Sequence, residues 1–191
     1  MPPKIKYTKE KIIKASLDLI RAEGMDALTA RSLSKKLGSS VVPIFTFFKN
    51  MNELQEEIII NIKKVYSQYV QEGLKESLAF KGVGKQYILF AKQEPKFFQI
   101  LFMSEKKNST MENFLSLMDD YYEEILNTLQ TTYQLEYSLA KKLYIHMLFY
   151  THGIASLCAT KVLILEEAEI SDILTEAFTA IMKEMKGNKN D

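Results

Sequence analysis

The stretch from Leu28 to Asn50 constrains this chain more than any other, because two short helical segments meet there at a single glycine. Thr29 is a suitable N-cap, since its hydroxyl can accept a hydrogen bond from a free amide of the first turn. Leu33 and Leu37 recur at helical spacing, with Leu28 just ahead of the cap. Gly38 falls where a left-handed C-cap residue is needed, a conformation that glycine takes without steric cost. Ser40 is placed to cap a second helix, Val41 to Phe48. Pro43 lies in its first turn, where the missing N–H breaks no helical bond. Ile44 and Phe48, four apart, give this helix one narrow buried edge. Its remaining surface is left free to enter a DNA groove, as in a helix-turn-helix.

The rest of the chain is read as helical too. Its 191 residues contain only 7 Gly and 4 Pro, and Val, Ile and the aromatics do not alternate over strand-length runs. The expected fold class is all-α. A three-helix head occupies residues 1–50 and a helical bundle body occupies 51–191, with about nine helices in all. Hydrophobic residues make up 47%, ample for a core. The single cysteine, Cys158, excludes an internal disulfide and a cysteine-based zinc site. Met1 to Lys14 is polar and basic, unlike a signal peptide, and no apolar run reaches membrane-spanning length. The expectation is a cytoplasmic protein with no membrane partner.

The net charge of +1 conceals a split. Residues 1–50 hold 10 Lys and Arg against 4 Asp and Glu, whereas residues 51–191 hold 15 against 20. A basic head on an acidic body implies that the head alone meets a polyanion.

In chain order, Lys4, Lys6 and Lys9 form a basic arm, and Thr8 can cap a first helix. That helix carries Ile12, Ile13, Leu17, Leu19 and Ile20 and stops at Gly24. A head of this size buries little by itself and needs the rest of the chain. Asn50-Met51-Asn52-Glu53 resembles a capping box. It opens a long linker helix with Leu54, Ile58, Ile62, Val65, Tyr69, Leu74 and Leu78 on one stripe. Five more helices are expected. They span Lys81 to Gln93, a short apolar segment from Pro95 to Ser104, Thr110 to Gln134, Glu136 to Val162 and Glu167 to Lys186. A polar tail closes the chain.

These residues resemble the TetR family of bacterial transcriptional regulators. The likeness is detailed over residues 8–54: the first helix ending at Gly24, then Ala27, Leu28-Thr29, Arg31, Leu33, Lys36-Leu37-Gly38, Ile44, Phe48, Lys49-Asn50 and Leu54. Beyond Leu54 it rests on helix count and on two long final helices. The resemblance implies a homodimer formed through those last two helices. It also implies a palindromic double-stranded DNA operator and a body pocket for a small-molecule effector. Several positions depart from the family pattern. The usual Tyr of the recognition helix is Phe45, the His two residues later is Phe47, and the Lys that follows the helix is Met51. Val41 and Val42 stand where polar residues or Gly are common. The recognition helix therefore carries no charge and one hydroxyl, Thr46.

An uncharged helix can still read DNA. Val42, Pro43 and Phe45 suit apolar contact with thymine methyl groups, and Arg31 is the candidate for a bidentate bond to guanine. Thr29, Ser40, Thr46, Lys49 and the arm lysines would position the head on phosphates. The first amides of the linker helix, near Met51, can also receive a phosphate. The candidate DNA-binding set is Thr29, Arg31, Ser40, Val41, Val42, Pro43, Phe45, Thr46, Lys49 and Asn50. Burial against the first helix is an alternative fate for Phe45 and Phe47.

Other constellations are weaker. His146 and His152 are six apart and face different sides of one helix, unlike metal ligands. Gly82-Val83-Gly84-Lys85 lacks the remaining residues of a phosphate loop and does not follow a strand. Asn108-Ser109-Thr110 fits the glycosylation pattern without a secretory context. Asp119-Asp120 and Glu123-Glu124 read as a solvated helix face. No nucleophile–base pairing stands out, so no enzymatic activity, cofactor or metal is expected. Phe90, Phe98, Phe102, Phe114, Met118, Tyr121, Met147 and Tyr150 could line an apolar effector pocket, and plain core is the competing reading for each. A second function class stays open: a dimeric helical binding or sensor module whose head serves packing or protein contacts.

Overall fold

The computed structural model describes residues 7–105, 110, 111, 115 and 121–187. The described residues form nine α-helices and no strand. They are α1 (Lys9–Glu23), α2 (Ala30–Leu37), α3 (Val42–Phe47), α4 (Met51–Leu74), α5 (Ala79–Gln93), α6 (Pro95–Phe98), α7 (Tyr122–Tyr133), α8 (Tyr137–Ala159) and α9 (Glu167–Gly187). A 3₁₀ turn, Met25–Ala27, links α1 to α2, and a π-helical turn, Gln99–Met103, continues α6. None of the helices is long and apolar enough to cross a membrane. The contacts divide into two units, residues 1–65 with 94–104, and residues 66–93 with 105–191. The division falls inside α4 rather than at residue 50.

In the first unit, Thr8 caps α1 by accepting from the Lys11 amide at 3.3 Å. Ile12, Leu19 and Ile20 are buried, while Ile13 and Leu17 are half-buried. Ser16 is also fully buried, and its hydroxyl is satisfied by the Ile12 carbonyl at 2.9 Å. The small head gains cover from its own unit: Leu54, Ile58 and Ile62 on α4, and Phe97, Phe98 and Leu101 on the apolar segment, are all buried. Arg21 ties α1 to that segment, pairing with Glu94 at 2.7 Å and lying 4.8 Å over the Phe97 ring. Lys9 reaches Glu57 at 2.9 Å and sits 5.5 Å over the Phe48 ring.

The α4 stripe runs 54, 58, 62, 66, 70. Tyr66 and Val70 are buried where Val65 and Tyr69 were expected, and those two are half-buried. The buried face advances in steps of four, and the division between the two units falls along it. Leu78 lies beyond the helix end and is exposed.

The second unit packs α5 against α7, α8 and α9. α5 begins two residues earlier than its sequence pattern indicates, and α8 ends three residues sooner than Val162, at Ala159. Gly73 and Gly82 bring α4 and α5 to backbone contact. A Cβ on Gly82 would stand 2.2 Å from the Gly73 oxygen, and one on Gly73 would stand 2.6 Å from the Val83 amide nitrogen. This explains why glycines occupy a helix interior that resembled a phosphate loop. Of the helix expected over Thr110 to Gln134, Met111 and Leu115 are helical, α7 covers Tyr122–Tyr133 after a non-helical Tyr121, and residues 112–114 and 116–120 lie outside the described residues.

Candidate functional site

The helix–glycine–helix unit forms as its residues dictate. Thr29 accepts from the Ser32 amide at 3.1 Å, and Ser32 Oγ accepts from the Thr29 amide at 3.0 Å, a reciprocal box that the sequence reading missed. Serine at the third helical position was the available signal. Gly38 adopts φ 63° and ψ 39°, and its amide donates to Lys35 O. The Tyr7 hydroxyl donates to Gly38 O at 3.3 Å, tying the start of the described chain to the turn.

Two capping expectations need correction. Ser40 does not cap α3; Val41 holds that position with no side-chain bond. Pro43 has no N–H, and the Ile44 amide bonds to Val41 O at 3.1 Å, so the first turn closes without a side-chain cap. Asn50 does cap α4, accepting from the Glu53 amide at 2.9 Å. Glu53 reaches back one residue further than a capping box would, to the Lys49 amide at 2.5 Å.

Ile44 and Phe48 anchor α3, at 0% and 2% exposure. The opposite surface is open: Val42 is 67% exposed and Phe45 44%. Val41, Thr46 and Phe47 are exposed and Pro43 is half-buried. Thus Phe45 and Phe47 are not packed into the head. The Thr46 hydroxyl donates to Val42 O at 3.0 Å, which fixes its direction along the helix. Arg31, Ser40, Lys49, Asn50 and Thr29 are all exposed. Arg31 makes no ion pair among the described residues. Lys35 and Lys36 add exposed cations to the last turn of α2, and composition alone had not singled them out. Lys4 and Lys6 lie outside the described residues.

The second unit holds a cavity of about 160 Å³. Six rings line it: Tyr66, Phe80, Tyr87, Tyr133, Tyr144 and Phe178. They form a connected wall, with Tyr133 and Phe178 centroids 4.8 Å apart and Phe80 and Phe178 6.1 Å apart. Gly84, Met147 and Thr151 also line it, and Lys81 is the only charged residue among the described residues that do. The Tyr87 hydroxyl shares a 2.9 Å hydrogen bond with His152 Nδ1. Burial pushes the Tyr87 phenol well up, helped by Tyr66 and Tyr144, and pushes His152 below its ordinary value. At neutral pH the pair is therefore an uncharged phenol and an uncharged imidazole.

Of the residues expected to line a pocket, Met147 does so. Phe90 is wholly buried in the second-unit core, against Tyr66 and Tyr69. Phe98 and Phe102 belong to the first unit, 5.3 Å apart. Tyr121 is half-buried and accepts from Gln71 at 2.6 Å, and Tyr150 faces solvent. Phe114 and Met118 lie outside the described residues. The other lining residues escaped notice because they come from five helices, and no single-helix period marks them. His146 is exposed and His152 bonds Tyr87, so the two do face differently. Among the described residues no group of three or more His, Cys, Asp or Glu could hold a metal ion.

The chain superposes along nearly its whole length on solved structures of one type. A TetR-like transcriptional regulator from Rhodococcus sp. RHA1 matches with TM-score 0.67 and 13% identity, over 93% of this chain and 96% of that one. This chain has the TetR fold. A TetR-family protein from Vibrio parahaemolyticus matches with TM-score 0.59 and 17% identity, over 90% and 96%. A third, assigned to the same family in Mesorhizobium loti MAFF303099, gives 0.53 and 14% over 93% and 98%. No family model and no curated protein matches the sequence. The TetR fold is thus carried here by a sequence that shares few residues with these structures.

Proposed function

We propose that this chain is a ligand-responsive, DNA-binding transcriptional regulator, acting as a homodimer and repressing until a small apolar effector releases it. The observation that carries the reading is α3 itself. A helix pinned by Ile44 and Phe48 presents Val42, Phe45 and Thr46 to solvent, beside an Arg31 that no carboxylate among the described residues engages. An exposed apolar helix in that position suits thymine methyl groups, and Arg31 suits guanine O6 and N7. Thr29, Ser40, Val41, Pro43, Lys49 and Asn50 surround it, and the exposed Lys35 and Lys36 extend the phosphate contacts. Residues 1–50 read DNA; residues 51–191 bind the effector and dimerise.

The dimer forms through α8 and α9. Phe149, Tyr150 and Leu157 are exposed along α8, and a Cβ on the exposed Gly153 between them would meet nothing within 4 Å, so a second copy can approach closely there. Two heads then enter successive major grooves about 34–36 Å apart. The effector acts through α4, the helix that runs from one unit into the other. It weakens DNA binding only to the extent that it prefers the non-binding state.

Footprinting on the DNA upstream of the protein's own gene tests this. A protected palindrome is expected. The salt dependence should be shallower than a slope of about −10 in log K against log[salt], because α3 contributes no cation. No protection at low salt would instead favour a helical binding module whose head makes protein contacts.

A further inference from the structure

Resting on the effector-binding reading, but giving its apolar effector one charged end, we infer that the second-unit cavity takes a small single-ring aromatic acid, its ring among the tyrosines and phenylalanines and its carboxylate at Lys81. Size sets the first limit. Ligand pockets for drug-sized molecules run from roughly 300 Å³ upward, whereas an apolar cavity of about 150 Å³ admits one benzene ring. At about 160 Å³ this cavity holds one ring and little more. Its walls favour a flat apolar body, since six aromatic side chains surround the space and offset or edge-on ring contacts add to simple burial.

Charge selects the end group. Rings alone could hold a cation over their faces. Among the described residues that line the cavity there is no Asp or Glu, and Lys81 is one of them. Lys81 is half-buried, and no ion pair to it occurs among the described residues. The neighbouring cation Lys85 is paired with Glu76 at 3.0 Å, so that carboxylate is already engaged. A partly desolvated ammonium beside an aromatic chamber repels a cationic ligand and gains from an anionic one. The phenols supply donors as well. Burial raises Tyr87 and Tyr133, so both stay protonated. Tyr87 is already committed to His152 and the Thr175 hydroxyl to Ser171 O, which leaves Tyr133, Thr151 and Lys81 among the lining groups suited to orienting a carboxylate.

The test uses the full chain without DNA and three probes of nearly equal size: benzoate, benzyl alcohol and benzylamine. Calorimetric titration should rank benzoate first, with benzyl alcohol at least about tenfold weaker and benzylamine weaker still. Lys81→Met keeps the stem and should erase the preference for benzoate, while Lys81→Arg should retain it. Because the ranking is measured on the unaltered protein, it stands even if a variant folds poorly. Equal or tighter binding of the alcohol or the amine overturns the acid assignment. So does an unchanged preference in Lys81→Met. Failure of all three to bind while the chain still protects a palindrome overturns this inference and leaves the regulator reading intact. Binding of benzoate by a chain that protects no DNA does the reverse.

Discussion

The α3 surface and the cavity both present aromatic and aliphatic side chains to open space, but they are held by opposite means. At α3 the side chains that matter are consecutive in sequence, and local signals fix them: a glycine turn, a proline in the first turn, two buried anchors four apart. In the cavity they come from α4, α5, α7, α8 and α9 and from residues just outside them. A local device tolerates change in the rest of the protein. A cavity assembled from several helices depends on how closely those helices approach.

Two glycines break or sharpen that contrast most directly. Gly82→Ala forces a methyl group into the Gly73 carbonyl, where backbone must move, and should cost about 3 kcal/mol while deforming the cavity. Gly38→Ala meets no neighbour within 4 Å but must hold a positive φ, and should cost about 1–2 kcal/mol. Urea midpoints at fixed m-value measure both, and equal losses would erase the distinction. Arg31→Ala should weaken operator binding by about 1–3 kcal/mol and relax the base preference at one position. It should leave unfolding unchanged, since the side chain is exposed and makes no ion pair among the described residues. Competition gel shifts with single-base operator variants read this out.

The smallest effect concerns the cavity wall. Burial holds the folded His152 below its ordinary value of 6.5, so the unfolded chain binds the proton first as pH falls. The neutral ring therefore contributes stability that is full above pH 6.5 and is lost as pH drops through the lower folded value. Urea midpoints should decline below pH 6.5, and His152→Gln should flatten that decline.

The sequence by itself determined the helical class, the Gly38 turn and the anchors Ile44 and Phe48, and left the exposure of Phe45 and Phe47 to the structure. Each of these depends on spacing within one segment, and chain chemistry over a few residues decides spacing and caps. Its errors at this level were small and also local: the α3 cap passed from Ser40 to Val41 because Pro43 alters how the first turn closes. Only the tertiary structure decided which aromatic residues enclose space. Phe90 and Tyr66 are both buried with ring centroids 5.3 Å apart, yet one ring is core and the other also lines the cavity. Phe98, equally apolar, belongs to the other unit altogether. Whether a ring fills a gap or borders one depends on the volume left between helices distant in sequence, and no periodicity within a single helix carries that quantity.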